Sequence, residues 1–143
     1  ADAAVVTSGL TGVEKWYLLI ETVCNAAPSV RENGSIVLLS DLLYQMDNAR
    51  IRACTSVEDF LSIFLEKKRW LGIFEILEEK LKNKTVYFPI GVEKTIQNDS
   101  ESGPVLCFTS SIHSALSRIE KQYGADYRCL ALPEGLSTFI SPA

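Results

Sequence analysis

Apolar residues in the first half of the chain recur every three or four positions, which is the spacing of one helix face. The pattern predicts a helix over residues 13–27 and a second one over 41–46, with the Asp47–Asn48 pair as its stop. Ser56, with Asp59 three residues later, is a near variant of the capping box and predicts the start of a third helix. The amino-terminal half is therefore predicted to be helical.

The segment 70–81 fits two alternatives. It can be a helix, or it can be a strand over 70–76 that turns at Asn83 into the next strand. The good helix formers at 78–81 favour the helix.

Short apolar runs alternate with turn residues in the second half of the chain. A helix capped by Ser110 or Ser111 is predicted to stop at Gly124. The polar residues from 93 to 103 are predicted to form the most exposed loop. The runs predicted as strands are 85–88, which Pro89 either ends or places at a sheet edge, then 105–109 and 127–132, with 136–140 as a hairpin partner or a helical turn.

This order of elements predicts an α+β fold, in which a helical amino-terminal half is followed by a small mixed sheet with a covering helix. Residues 1–12 show little periodicity and are expected to be a flexible amino-terminal segment. Residues 13–143 are expected to form a single domain, with a helical part at 13–82 and a strand-loop-strand-helix-strand part at 83–143.

The composition, with 47% hydrophobic and 22% charged residues, is that of a globular chain. The net charge of −4 provides no positive field for a phosphate backbone, so nucleic-acid binding would need a local basic patch. The densest candidate is Lys67, Lys68 and Arg69, but Glu66 and Glu75 lie on either side of it, and a solvated helix face is the favoured interpretation. No apolar stretch is long enough for a membrane helix, so no membrane insertion is expected.

The four cysteines are widely spaced and contain no CxxC pair. Buried thiols in a reducing compartment are the favoured interpretation, and the cytoplasm is the expected location.

Catalytic chemistry based on an imidazole would have to use His113, the single histidine. Cys107 and His113 could form a nucleophile pair, but no third residue that would orient the base is apparent. A zinc site would draw on the same two residues and Cys129, without the spacing typical of zinc sites. The glycines are scattered rather than grouped as in a nucleotide-binding loop. No catalytic residue, metal site or cofactor is therefore predicted.

The carboxyl-terminal part contains a helix leading into Thr85-Val86-Tyr87-Phe88-Pro89-Ile90-Gly91, then Val105-Leu106-Cys107-Phe108-Thr109-Ser110 before a helix, then Leu130-Ala131-Leu132-Pro133 and Leu136. In these pieces the chain resembles the amino-terminal domain of the SseB family over about residues 56–140. This resemblance implies a small α+β module of bacterial proteins with interaction-based roles and with no catalytic residues to transfer.

The first three predicted helices, followed by a hairpin of 70–76 with 85–88, also resemble a winged-helix module. Such modules serve nucleic-acid binding and macromolecular assembly alike. The acidic balance favours assembly here.

The leading functional hypothesis is a non-catalytic protein-protein interaction module that acts through an apolar surface or a sheet edge. The alternatives are a winged-helix-type domain that uses Lys67, Lys68 and Arg69, and a thiol-dependent enzyme. A protein partner is expected. The residues predicted to line its contact surface are Tyr87, Pro89, Gly91, Asp99 and Gly103.

Overall fold

The computed structural model describes residues 1–8, 16–40, 48–63, 67–97 and 103–132. The helices are α1 (Trp16–Ala26), α2 (Asn48–Ala53), α3 (Val57–Ser62), α4 (Lys67–Lys80) and α5 (Ile112–Tyr123), and a short 3-10 turn (Ala27–Ser29) follows α1. The strands are β1 (Ala3–Ser8), β2 (Ser35–Ser40), β3 (Thr85–Pro89), β4 (Lys94–Gln97), β5 (Val105–Thr109) and β6 (Cys129–Leu132).

The six strands form one mixed sheet in the order β4-β5-β3-β2-β1-β6. The strands β1, β2, β3, β5 and β6 run parallel to one another, and β4 pairs antiparallel with β5. The strands β1, β2 and β3 occupy successive positions, β4 then lies at the far edge with β5 between it and β3, and β6 returns to the other side of β1. The sheet edges within the described part of the chain are therefore β4 and β6.

Helices cover both faces of the sheet. Since alternate residues of each strand point to opposite sides, each strand contributes side chains to both helix layers. One face, which we call the α1–α4 face, carries Val6, Leu38 and Phe108 and packs against side chains such as Val23 and Phe60. The opposite face, which we call the α5 face, packs Val37, Tyr87 and Cys107 against Ala115 and Ile119 of α5. A mostly parallel sheet with helices on both sides is a doubly wound arrangement.

The predicted segregation of helices into the amino-terminal half was wrong. The first strand, β1, occupies residues that were expected to be flexible, and it lies inside the sheet between β2 and β6. Ala3, Ala4 and Val6 are fully buried. Helices connect β1 to β2, β2 to β3 and β5 to β6, because parallel strands need a crossover connection, whereas β3, β4 and β5 follow one another without a described helix between them.

Several local predictions were confirmed. Residues 70–80 are helical within α4, which removes the hairpin that the winged-helix interpretation requires. The hydroxyl of Ser56 accepts a hydrogen bond from the backbone N–H of Asp59 at 3.1 Å and caps α3. Ser111 caps α5 in the same way through the N–H of Ser114 at 3.1 Å, and α5 ends at Gly124.

Other local predictions were wrong. Asn48, predicted as part of a helix stop, is helical within α2. Residues 94–97, predicted as part of an exposed loop, form the strand β4. The strand that ends at Pro89 was expected at an edge, but β3 is interior because β2 and β5 both pair with it. The predicted elements at 41–46 and 136–140 lie outside the described residues.

Candidate functional site

The edge strand β6 exposes apolar side chains although it belongs to a parallel sheet. Cys129, Leu130 and Ala131 are exposed and Leu132 is half-buried. Leu130 has 43% of its surface exposed, which makes it one of the few large apolar side chains on the described surface. Parallel strands are normally covered on both faces, so an exposed Cys-Leu-Ala-Leu strand is unusual and marks a candidate contact surface.

The register with β1 assigns each side chain of β6 to a face. Leu130 lies beside Ala4 and Leu132 beside Val6, so both leucines belong to the α1–α4 face, where Leu132 packs against the core. Cys129 and Ala131 belong to the opposite face. A strand added outside β6 would therefore contact apolar groups on both of its sides.

The outward-facing backbone groups of β6 follow from its hydrogen bonds. The carbonyl of Arg128 accepts from the N–H of Ala3 at 3.1 Å, so the backbone of Arg128 faces β1. The direction of the backbone groups alternates along a strand. The backbone N–H and C=O of Leu130 therefore also point toward β1, and those of Cys129 and Ala131 point away from it. Two N–H and two C=O groups are thus presented along the outer edge, where no other described strand pairs with them.

Side chains at the amino ends of the strands fix the start of β6. Asp2 accepts a hydrogen bond from the backbone N–H of Arg128 at 2.9 Å and forms a salt bridge with Arg31 at 2.7 Å. The Arg128 N–H, and to a smaller extent the Arg31 guanidinium, hold the pKa of Asp2 below its ordinary value. The guanidinium of Arg31 in turn lies 5.0 Å from the ring centroid of Tyr123 in α5. These contacts therefore hold the start of the edge strand β6 in a defined position.

The structure does not bring the predicted contact residues together as one exposed surface. Tyr87 and Pro89 are buried in β3, and Gly103 is buried at the start of the segment before β5. Gly91 is exposed, and its φ of +86° explains why a glycine occupies that turn. Asp99 lies outside the described residues.

The two residues considered for thiol chemistry occupy different environments. His113 is exposed in the first turn of α5, and Cys107 is buried in β5, where burial raises the pKa of its thiol. Within the described ranges, no group of three or more His, Cys, Asp and Glu side chains could hold a metal ion.

The carboxyl end of β5 is organised by Glu93. The carboxylate accepts from the backbone N–H of Ser110 at 2.9 Å and from the hydroxyl of Ser114 at 3.0 Å. These bonds, the one from the Ser110 N–H above all, keep the pKa of Glu93 below its ordinary value. Glu93 thereby satisfies the polar groups in front of α5 from within the chain.

Lys67, Lys68 and Arg69 are the first described residues of α4. No described helix has the length and apolar content needed to cross a lipid bilayer.

Sequence reasoning predicted a strand at 127–132 but did not identify it as an exposed edge. The local signal was the run Cys-Leu-Ala-Leu, which reads equally as a buried strand. Comparisons with protein-family models, curated proteins and solved structures gave no match to this chain. The resemblance to the SseB family stays a prediction.

Proposed function

We propose that this chain is a non-catalytic protein-protein interaction module that binds an extended segment of a partner protein along the outer edge of β6. The observation that carries the proposal is the exposed apolar edge strand, with Leu130 43% exposed and two residues that present their backbone groups outward. Strand addition to a sheet edge is an established mode of peptide recognition.

The edge offers the partner two kinds of contact. Each new backbone hydrogen bond contributes about 0.5–1.5 kcal/mol net. Covering Leu130 and the neighbouring apolar atoms adds about 25 cal/mol for each Å² removed from water. Since the described part of the strand has four residues, we expect a transient interaction with dissociation constants of about 1–100 μM.

The partner segment has a definable chemistry. It is extended, and it carries apolar side chains at alternate positions so that one faces Leu130. Each copy of this chain has a net charge of −4, so two copies repel each other at long range and a neutral or basic partner is favoured. The occupant we propose is therefore a distinct protein with an apolar, basic-flanked segment.

A cytoplasmic location and an origin in bacteria belong to this proposal. All four cysteines are free, and three of them are buried, which suits a reducing compartment. The bacterial origin follows from the resemblance to the SseB family alone.

The test uses a library of displayed peptides selected on the full chain. The selected peptides are then measured against an Ala131→Pro variant, with Ala131→Val as its matched control. Proline removes the N–H that faces away from β1, while the ladder between β1 and β6 keeps its bonds. We expect the proline variant to weaken binding by about tenfold or more and the valine variant to bind as the parent chain does.

Two outcomes would overturn the proposal. One is selected peptides that bind Ala131→Pro as tightly as the parent chain. The other is a dimer of the chain that Ala131→Pro dissociates, because the edge would then serve a second copy. Matching thermal unfolding midpoints of the two variants exclude misfolding as the cause of lost binding.

A further inference from the structure

Two adjoining recesses lie along one side of α5, at the opposite edge of the sheet from β6. Their volumes are about 450 Å³ and about 230 Å³, and both are lined by Thr85, Val105 and Gln122. Together we call them the α5 recess. Since the two share these lining residues and both open to solvent, they form one continuous shallow recess.

The α5 recess exists because one helix cannot cover the whole width of the sheet. Of the described helices, α5 alone packs on this face, and it contacts β2, β3 and β5. The register places Thr95 of β4 beside Cys107 of β5, so the threonine faces the same open side. Polar side chains thus occupy floor positions where a covered parallel sheet would carry apolar ones.

The charge of the recess is opposite to that of the chain. Arg118 and Lys121 line the larger recess, and Lys84 lines the smaller one. Arg118 and Lys121 are three residues apart in α5 and therefore lie on neighbouring positions of its surface. None of the described residues that line either recess carries a carboxylate, although the chain as a whole has a net charge of −4.

The floor adds neutral hydrogen-bonding groups to these cations. Tyr87 and Cys107 are buried beneath the larger recess, and burial raises the pKa of Tyr87 to about 12 and also raises that of Cys107. Both groups are therefore uncharged at neutral pH and do not repel an anion. The hydroxyls of Thr85 and Thr95 and the amide of Gln122 also line the larger recess, where they can form hydrogen bonds with oxygen atoms of a ligand.

We propose that the α5 recess binds a small phosphorylated molecule. The lining of the recess holds three cations, of which Arg118 is partly balanced by the neighbouring carboxylate of Glu93. The remaining positive charge suits an anionic ligand, such as a phosphate monoester with two negative charges near neutral pH. The polar floor suits the hydroxyl groups of an attached sugar-sized part. The site is separate from β6, so binding a phosphorylated molecule and binding a partner segment do not compete.

The experiment is a titration of the isotope-labelled full chain with ribose 5-phosphate, followed by the NMR shifts of its backbone amides. Ribose serves as the uncharged control ligand. The amides of Thr85, Val105 and Arg118 are expected to shift with the phosphorylated sugar and to stay unchanged with ribose. The double variant Arg118→Gln, Lys121→Gln is expected to weaken binding by about tenfold or more. Lys82→Gln, which removes one charge at an exposed position outside the recess, is expected to leave binding unchanged.

The proposal fails if ribose 5-phosphate shifts none of these amides, if Lys82→Gln weakens binding as much as the double variant does, or if ribose shifts the same amides equally. Arg118 and Lys121 are both exposed, so the double variant is expected to fold, and its spectrum in the absence of ligand checks this. Failure here leaves the peptide selection on β6 unaffected, because the two sites lie at opposite edges of the sheet.

Discussion

Arg31 and Asp2 are joined by a salt bridge of 2.7 Å between Nε and Oδ1, which ties the turn before β2 to the beginning of β1. Asp2 also accepts a hydrogen bond from the backbone N–H of Arg128, the residue just before β6. One carboxylate thus connects the starts of three neighbouring strands. Since β1 and β6 are far apart in sequence, bringing them together costs chain entropy. The contact through Asp2 helps to offset that cost and to fix the position of the edge strand.

The contribution of Asp2 to the stability of the folded state is expected to disappear in acid. The pKa of Asp2 is depressed in the folded protein, so its contribution is complete above the ordinary value of 3.8 and disappears as the pH falls through the folded-state pKa. Asp2→Asn should therefore lower the urea midpoint at pH 7 and have little effect once the carboxyl group is protonated. An unchanged difference between the two proteins from pH 7 to pH 2.5 would contradict this account.

Two glycines are expected to respond to alanine in opposite directions. A Cβ at Gly34 would lie 2.7 Å from the carbonyl oxygen of Arg31, so Gly34→Ala should lower the free energy of unfolding by about 1–3 kcal/mol. At Gly72, exposed in the interior of α4, a Cβ meets nothing within 4 Å, and Gly72→Ala should raise stability by about 0.5–1 kcal/mol. Urea unfolding of the two variants measures both signs, and equal effects would contradict the packing described for Gly34.

The aromatic cluster under the sheet is expected to contribute strongly to stability. Phe108 is fully buried, and its ring centroid lies 5.0 Å from that of Phe88 and 5.4 Å from that of Phe60. Phe108→Ala should cost about 3–5 kcal/mol, measured by chemical unfolding. The control Ile112→Ala, at a position 38% exposed, should change stability by less than about 0.5 kcal/mol. Similar losses in both variants would place Phe108 outside the core.

The thiols are expected to differ in their accessibility. Desolvation raises the pKa of all four thiols, that of Cys24 to about 11, but only Cys129, on β6, is exposed to a reagent. A disulfide reagent at pH 8 should modify one thiol at least about tenfold faster than the other three, and Cys129→Ser should remove that fast phase. A second fast thiol, or a fast phase that persists in Cys129→Ser, would contradict the burial of the other cysteines.

Local sequence signals were sufficient to predict the helices whose first turns are marked by capping residues. Ser56 and Ser111 identify the starts of α3 and α5 because a side-chain oxygen there accepts a backbone N–H that the helix leaves unpaired. The helix formers near the end of α4 likewise resolved the choice between helix and strand at 70–80.

Features that depend on distant pairing were not predictable. The run from Ala3 to Val6 is buried on both sides in β1 and therefore lacks the alternation that identifies a half-exposed strand. In β4 only Ile96 is buried, which leaves a polar segment that reads as a loop. The exposure of β6 and the shape of the α5 recess follow from the order of the strands, which no short stretch of sequence encodes.

The central claim is that the outer edge of β6 accepts a partner strand, and amide hydrogen exchange tests it most directly. When a selected peptide binds, the amides of Cys129 and Ala131 should exchange about tenfold more slowly or more, because they gain hydrogen-bond acceptors. The amide of Leu130 already faces β1 and should change much less. Unchanged exchange at Cys129 and Ala131 in the presence of bound peptide, with slowing confined to another part of the chain, would contradict the claim.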